Sequence, residues 1–547
     1  MPRRLLTLAA FLLTATMAGA DTAPGALPLA RSIVSETLQG LPFLKDETEA
    51  VRDAIVSDLA VIQIRLGDLK DASEALIQDP LYKDRVLSRL AVAYAEQNDL
   101  DTADSTLFKM KSQLYSVDAL TGMGKAAGKG PRAHGYFRDA LARCAFIESL
   151  EDRLARLKAL AIAEAETVTF MVEAIETLKV IPSEKIQSEL MAELVEIADP
   201  SYLLILKFIA SQFDIPDLRE RSLGDVAVAF AKKGDSEPYD AVMEDIKDAY
   251  GRAKTLAELA QWEFQKSSDA EEAVRRLQQA RRYARAIKDD VLRSETLTKI
   301  AQLYVYLWSP KEAKATFQLA RQAALQIGDV VIRAQTLTQL GSLLASHAET
   351  KESVEVFQGA RLAVFSSEAP VYQKAKLLGV LGEAMAVAGC EGTKELLSET
   401  AALSKELDDP AQKYEIHTYI AIAFWQMNFP EEGERFIKSA ISLAREIDDD
   451  TASSDALIRI ALAYTRFGRI QDVLPLTAWV RVDSRKGELL FQACKLHAKN
   501  GKAEEALQTA RSANKKSIGL RGLLGTATGL FDKEDEDKAT SGYFVRF

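Results

Sequence analysis

Groups able to attack, ligate or move protons are sparse and scattered in this chain. Its four histidines are His134, His347, His417 and His497. They form no HExxH and no pair one helical turn apart, so no metal-ligand set can be read from them. Cys144, Cys390 and Cys494 lie far apart without a CxxC spacing, which fits buried or tolerated thiols rather than a disulfide framework. There is no GxSxG, no Walker loop and no GxGxxG opening a helix after a strand. Carboxylates abound but none is set apart; Glu295, for example, reads as a solvated helix residue. No catalytic residue, cofactor or metal is expected.

The densest positive cluster is Arg275, Arg276, Arg281, Arg282 and Arg285. On one helix Arg275, Arg282 and Arg285 share a broad face. Such a strip suits an acidic peptide or an anionic polymer. Glu271, Glu272, Asp289 and Asp290 nearby equally suit a solvated, self-balanced face. The whole chain carries a net charge of −11, so it has no overall attraction for nucleic acid or anionic lipid.

What holds these residues must be helical. The chain has 547 residues, too many for one compact core, and is rich in Ala, Leu, Glu, Lys and Arg. Between Arg293 and Asp329 a spacing rule is visible: Ala301, then Tyr304, Trp308, Ala313, Phe317 and Ala320. It returns from Ala421 as Phe424, Asn428, Gly433, Ile437 and Ala440, and from Gly341 as Leu344, Ala348, Ser353, Phe357 and Ala360. Further units start at Ala60 (reaching Leu76), Ala91, Gly382, Ala461 and Cys494, where His497 takes the aromatic place. Weaker units start at Ala227 and near Ala260. A small residue lets two helices approach, a large one a turn later fills the gap, and a Gly- or Asn-rich turn reverses the chain. One such hairpin cannot bury its apolar face, so hairpins must stack.

This pattern resembles the tetratricopeptide repeat family over residues 45–111 and 250–515, and poorly over 112–219. The resemblance implies an all-α, right-handed solenoid of stacked helix–turn–helix repeats. The period is about 40 residues where the family has ~34. The proline that often closes a repeat is mostly missing, as if the second helix runs on. Acidic or glycine-containing breaks close many units: Lys288-Asp289-Asp290, Gly328-Asp329, Leu407 to Pro410, and Asp448 to Asp450. The resemblance also implies a protein or peptide partner held on a concave wall of first helices. Its exposed positions there would be Thr298, Gln302, Tyr306, Thr338, Ser342, Thr418, Trp425 and Arg466, with Trp425 the foremost.

The remaining segments divide as follows. Residues 1–20 have a basic start at Arg3-Arg4, an apolar run and Ala18-Gly19-Ala20, a bacterial signal peptide with cleavage before Asp21. No later apolar run is long enough to span a membrane, so the mature chain is expected to be periplasmic or secreted. Residues 21–44 read as a linker with one short helix, 45–111 as the first repeats, and 112–219 as a degenerate helical region. Within the last, Lys125 to Gly135 reads as a loop and Phe146 to Thr177 as a long amphipathic stretch. Residues 220–515 form the main array, and 516–547 a helix with a charged tail ending in Tyr543, Val545 and Phe547. The function this supports is a non-enzymatic scaffold of the cell envelope. Two rivals are an accessory of polysaccharide export or envelope assembly binding an anionic polymer, and a helical enzyme with its site in 112–219.

Overall fold

The computed structural model describes residues 26–45, 47–72, 77–167, 170–347 and 350–539. The stretch read as a signal peptide, the aromatic tail, Leu76 and Ala348 lie outside them. Among the described residues every regular element is a helix. The spacing rule becomes hairpin geometry. Asp290–Tyr306 is a first (A) helix, Pro310–Gln326 its second (B) helix, and Ala301, Tyr304, Ala313, Phe317 and Ala320 are all buried between them. Gly341 shows why the small residue is needed, since a Cβ there would lie 2.5 Å from the Phe357 ring. The turn residue seven places after the small one takes a left-handed backbone, which favours Gly or Asn. Gly67, Asn98, Gly234, Gly389, Asn428, Gly468 and Gly501 all do so, as does Ser268 in the unit that is one residue longer. Trp308 occupies the same place at φ 54° with its side chain 85% exposed.

The joint between hairpins is equally regular, and it corrects the expectation that B helices run on. At many joints the B helix stops at a buried aliphatic residue, as at Ile246, Ile287, Ile327, Leu407 and Ile447, and two residues later an Asp starts the next A helix. Asp289 accepts from the Leu292 N–H at 2.8 Å, Asp409 from Ala411 at 2.8 Å and Asp449 from Ala452 at 2.6 Å. These acids therefore terminate one repeat by starting the next. Six residues after the aliphatic one, an arginine reaches back to its carbonyl: Arg252 to Ile246, Arg293 to Ile287 and Arg333 to Ile327. The long period follows from long helices. Asp290–Tyr306, Pro310–Gln326, Val330–Ser346 and Pro410–Gln426 each run 17 residues.

The chain forms two compact units. One joins both ends, up to Val86 and from Ile441 to the last described residue; the other runs from Leu87 to Ala440. In the second unit, 112–219 folds as further hairpins. Gln113–Ala127 pairs with Pro131–Cys144 and Leu150–Glu166 with Met171–Val180. The loop expected from Lys125 to Gly135 is thus confined to Gly128–Gly130, because Pro131 is accommodated as the first helical residue. The amphipathic stretch breaks after Glu166, where the Thr167 hydroxyl turns back to the Ala163 carbonyl at 2.8 Å.

In the end-to-end unit, the segment expected as a linker holds a 15-residue helix, Ala26–Gly40. It packs on the C-terminal helix Lys516–Ala539, as does Glu49–Arg65. Arg511 grips Glu36 at 3.1 and 2.8 Å, and Glu47 accepts from Lys515 at 2.8 Å and Ser517 at 2.7 Å. Arg521 pairs with Asp58 and, at 2.7 Å, with Glu488. The C-terminal helix also lies very close to Asp483–Lys499: a Cβ at Gly525 would come 2.2 Å from the Phe491 carbonyl oxygen.

Candidate functional site

In the Leu87–Ala440 unit successive A helices touch one another and build a continuous wall. Residues two and six before the small position, and one and five after it, fall on one helical stripe. Around Ala301 these are Glu295, Lys299, Gln302 and Tyr306. Around Ala260 they include Lys254 and Glu258, and around Ala227 they include Arg221 and Asp225.

These charged residues meet. Lys254, with its side chain only 3% exposed, pairs with Asp225 on the preceding A helix and lies 3.6 Å from Glu258. Burial alone would lower its ammonium, but the two carboxylates outweigh burial and hold it above its ordinary value. Burial pushes the Glu258 carboxyl up to about 7 against the pull of Lys254. Lys299 is held below its ordinary value by burial, with Lys254 and Arg221 adding to the effect. The second Asp225 oxygen and the Arg221 Nε are buried without a hydrogen-bond partner among the described residues.

Beyond this cluster the stripe changes character. On Val330–Ser346 it carries Gln335, Gln339 and Ser342, all exposed and uncharged. On the next A helices charge returns: Lys376 meets Glu415 at 2.9 Å, and the Tyr372 hydroxyl also donates to Glu415. The wall is therefore a row of uncharged hydrogen-bonding side chains between two paired charge clusters. Its aromatic edge is Tyr306, set edge-on to Phe264 with ring centroids 5.4 Å apart.

The positions expected from sequence divide on this stripe. Gln302, Tyr306 and Ser342 belong to it. Trp425 does not: it is 8% exposed, and its ring covers Gly433 of its own hairpin, where a Cβ would lie 2.3 Å from it. Thr338 is also buried, and its hydroxyl donates to the Ala334 carbonyl at 2.8 Å. Thr298 and Thr418 are half-buried and bond back in the same way, to Ser294 at 2.8 Å and Tyr414 at 2.7 Å. Residues three before or four after a contact residue share its buried face, so these four point at packing rather than at the wall. Arg466 is exposed but lies in the end-to-end unit. Sequence reasoning missed Arg221, Asp225, Lys254 and Glu258, whose signal was the recurring charged pair two and six residues before the small position.

The basic strip is thinner than its count suggests. Arg275 pairs with Glu272, Arg276 with Glu263 at 2.6 Å and Arg281 with Glu312 at 2.5 Å. Arg282 and Arg285 are exposed and have no carboxylate partner among the described residues.

The histidines stay apart. His134 faces Glu173 at 3.4 Å, His347 lies beside Phe317, and buried His497 meets Glu505 at 3.0 Å. His417 sits between the Ser404 and Ser439 hydroxyls at 3.0 and 2.9 Å. All three cysteines are free and buried. Burial pushes Cys144 up to about 11 and Cys494 up to about 12, which suppresses thiolate chemistry. Among the described residues no three metal-binding side chains converge, and no helix is long and apolar enough to cross a membrane.

No family model matches the chain, and no curated protein matches it. Solved structures do. The apo quorum sensor NprR from B. thuringiensis is 15% identical, covering 76% of this chain and 98% of its own, with a TM-score of 0.24. A Rap protein complexed with Competence and Sporulation Factor is 12% identical, covering 76% and 98%, with a TM-score of 0.24. A signal transduction ATPase with a tetratricopeptide repeat sensor from Pyrococcus horikoshii is 14% identical, covering 83% and 74%, with a TM-score of 0.27. At such scores the superposed paths diverge, and the likeness gives neither a shape nor a ligand. The hairpins themselves, with their small-against-large contacts and left-handed turns, make this a tetratricopeptide-like helical repeat chain.

Proposed function

We propose that this chain is an exported, non-enzymatic scaffold of the bacterial periplasm that holds a protein segment along its A-helix wall. The observation that carries this reading is the row Gln335, Gln339 and Ser342, exposed and uncharged between two charge clusters. An amide side chain offers both a donor and an acceptor, which suits an extended main chain. The flanking clusters at Lys254–Glu258–Lys299 and Lys376–Glu415 would set its register. A pull-down from envelope extract tests this with the mature chain beside Gln335→Ala/Gln339→Ala and Arg282→Glu. A partner lost with the double glutamine variant and kept with Arg282→Glu supports the wall; a partner indifferent to both glutamines removes it. Export is tested by fractionation and N-terminal sequencing: a periplasmic chain starting at Asp21 is expected, and a cytoplasmic chain starting at Met1 overturns it.

A second reading keeps Arg282 and Arg285 as a contact for an anionic polymer, because these two lack carboxylate partners among the described residues. Salt-sensitive binding lost on Arg282→Glu supports it, and no binding at low salt removes it. The enzyme reading for 112–219 finds no support in the most displaced carboxyl there. Glu164 is buried within its hairpin and accepts from Thr177 at 2.8 Å.

A further inference from the structure

We propose that the end-to-end unit binds a small organic carboxylate in a cleft built from both ends of the chain. The cleft holds about 220 Å³. Its floor is apolar: Ala50, Val51 and Ala54 come from Glu49–Arg65, and Ile518 from Lys516–Ala539. One side is the first turn of Asp483–Lys499. The space exists because Ala54 is short. The equivalent position six residues before the small one is Lys254, Glu295, Gln335, Lys376 or Glu415 in other hairpins, and any of these would fill it.

Most charges around the cleft are already committed. Glu47 holds Lys515 and Ser517, Arg521 is shared by Asp58 and Glu488, and Lys486 meets Asp483 at 2.5 Å. Three groups keep donors to spare. The Arg485 guanidinium is paired only loosely, with the exposed Asp455 at 3.5 Å, and is 40% exposed, so its other N–H groups remain available. The Ser484 and Tyr82 hydroxyls line the cleft and have no hydrogen-bond partner among the described residues. A guanidinium can only donate, and two hydroxyls can donate beside it. A planar donor fork above an apolar floor matches a carboxylate with a branched aliphatic body. A leucine-sized body displaces only a few waters at about 30 Å³ each, so the volume suffices.

Because the floor comes from both chain ends, ligand binding stabilises their docking, and the unfolding temperature of this unit must rise with ligand concentration.

The test uses the full chain, titrated calorimetrically with N-acetyl-leucine and, separately, with N-acetyl-leucinamide, which keeps the body and lacks the carboxylate. Saturable binding of the acid with a raised unfolding temperature is expected, with the amide at least about ten-fold weaker. Arg485→Gln, on an exposed side chain, should leave the circular dichroism unchanged and weaken the acid by a similar factor. Ala54→Leu should abolish binding with Arg485 intact. Equal affinity for acid and amide, an Arg485→Gln chain that binds as before, or no saturable binding of the acid each overturns the proposal.

Discussion

Replacing Glu164 with Gln should stabilise the protein, and should do so only at high pH. The Glu164 side chain is buried, 2% exposed, inside the hairpin of Leu150–Glu166 and Met171–Val180. Burial pushes its carboxyl up to about 8, against the hydrogen bond from Thr177, with Glu173 adding a little. The folded chain therefore keeps a proton that the unfolded chain releases near its ordinary value of 4.5. The sign follows: this site costs nothing below the unfolded value, costs progressively more as pH rises through the folded value, and is flat above it. At about 1.36 kcal/mol per pH unit, the cost is on the order of 3 kcal/mol at pH 7 and on the order of 5 kcal/mol above pH 8. Glutamine keeps an acceptor for Thr177 and carries no proton to lose. Urea unfolding of both chains at pH 5 and pH 8.5, with hydrogen exchange read over this hairpin, isolates the term. The variants should differ by less than about 1 kcal/mol at pH 5, and Glu164→Gln should protect the hairpin far more at pH 8.5. A stability difference that does not change with pH would refute the burial argument.

His417 gives the opposite slope. Burial and then Lys413 press its imidazole down to about 4, so stability from this site is full above the ordinary value of 6.5 and falls as pH drops toward 4. On the order of 3 kcal/mol should vanish over that window, and His417→Phe should flatten it in acid denaturation. Trp308→Gly should raise stability by roughly 1 kcal/mol, since an exposed indole loses nothing and the left-handed backbone no longer carries a Cβ. Lys254→Met should cost about 3–5 kcal/mol by stranding Asp225, and Asp225→Leu in the same chain should restore much of it, read by thermal unfolding. Gly525→Ala should loosen the C-terminal helix, because its methyl would meet a backbone carbonyl that cannot rotate away; faster proteolysis of that helix would show it.

The hairpins were legible because backbone approach demands a small residue at a fixed distance from a large one. The same demand operates in 112–219, but on a different ruler. Gly124 receives Phe137 with a Cβ distance of 2.5 Å, as Gly341 receives Phe357, yet the pair is thirteen residues apart instead of sixteen. The shorter turn hid the repeat. Glu164, three after Ala161, holds the place that Tyr304 holds after Ala301, so an apolar pattern could not find it either. The wall was half legible. Gln302 and Ser342 follow from the helical angle, whereas Trp425 looked exposed only because nothing in a linear reading reveals that Gly433 leaves it a slot. The charge cluster at Lys254 depends on an ion pair between residues of neighbouring repeats, which one sequence shows only as two ordinary charges.

The pairing of Glu36 with Arg511 also fixes an order in time. The two residues are 475 apart. The surface that the Ala26–Gly40 helix packs against is made some 475 residues after it. At roughly 5–20 residues per second, its Ile33 and Val34 face water for roughly half a minute to a minute and a half before that surface exists. The docking of Ala26–Gly40 therefore has to wait for Lys516–Ala539, and until then Ile33 and Val34 need other cover.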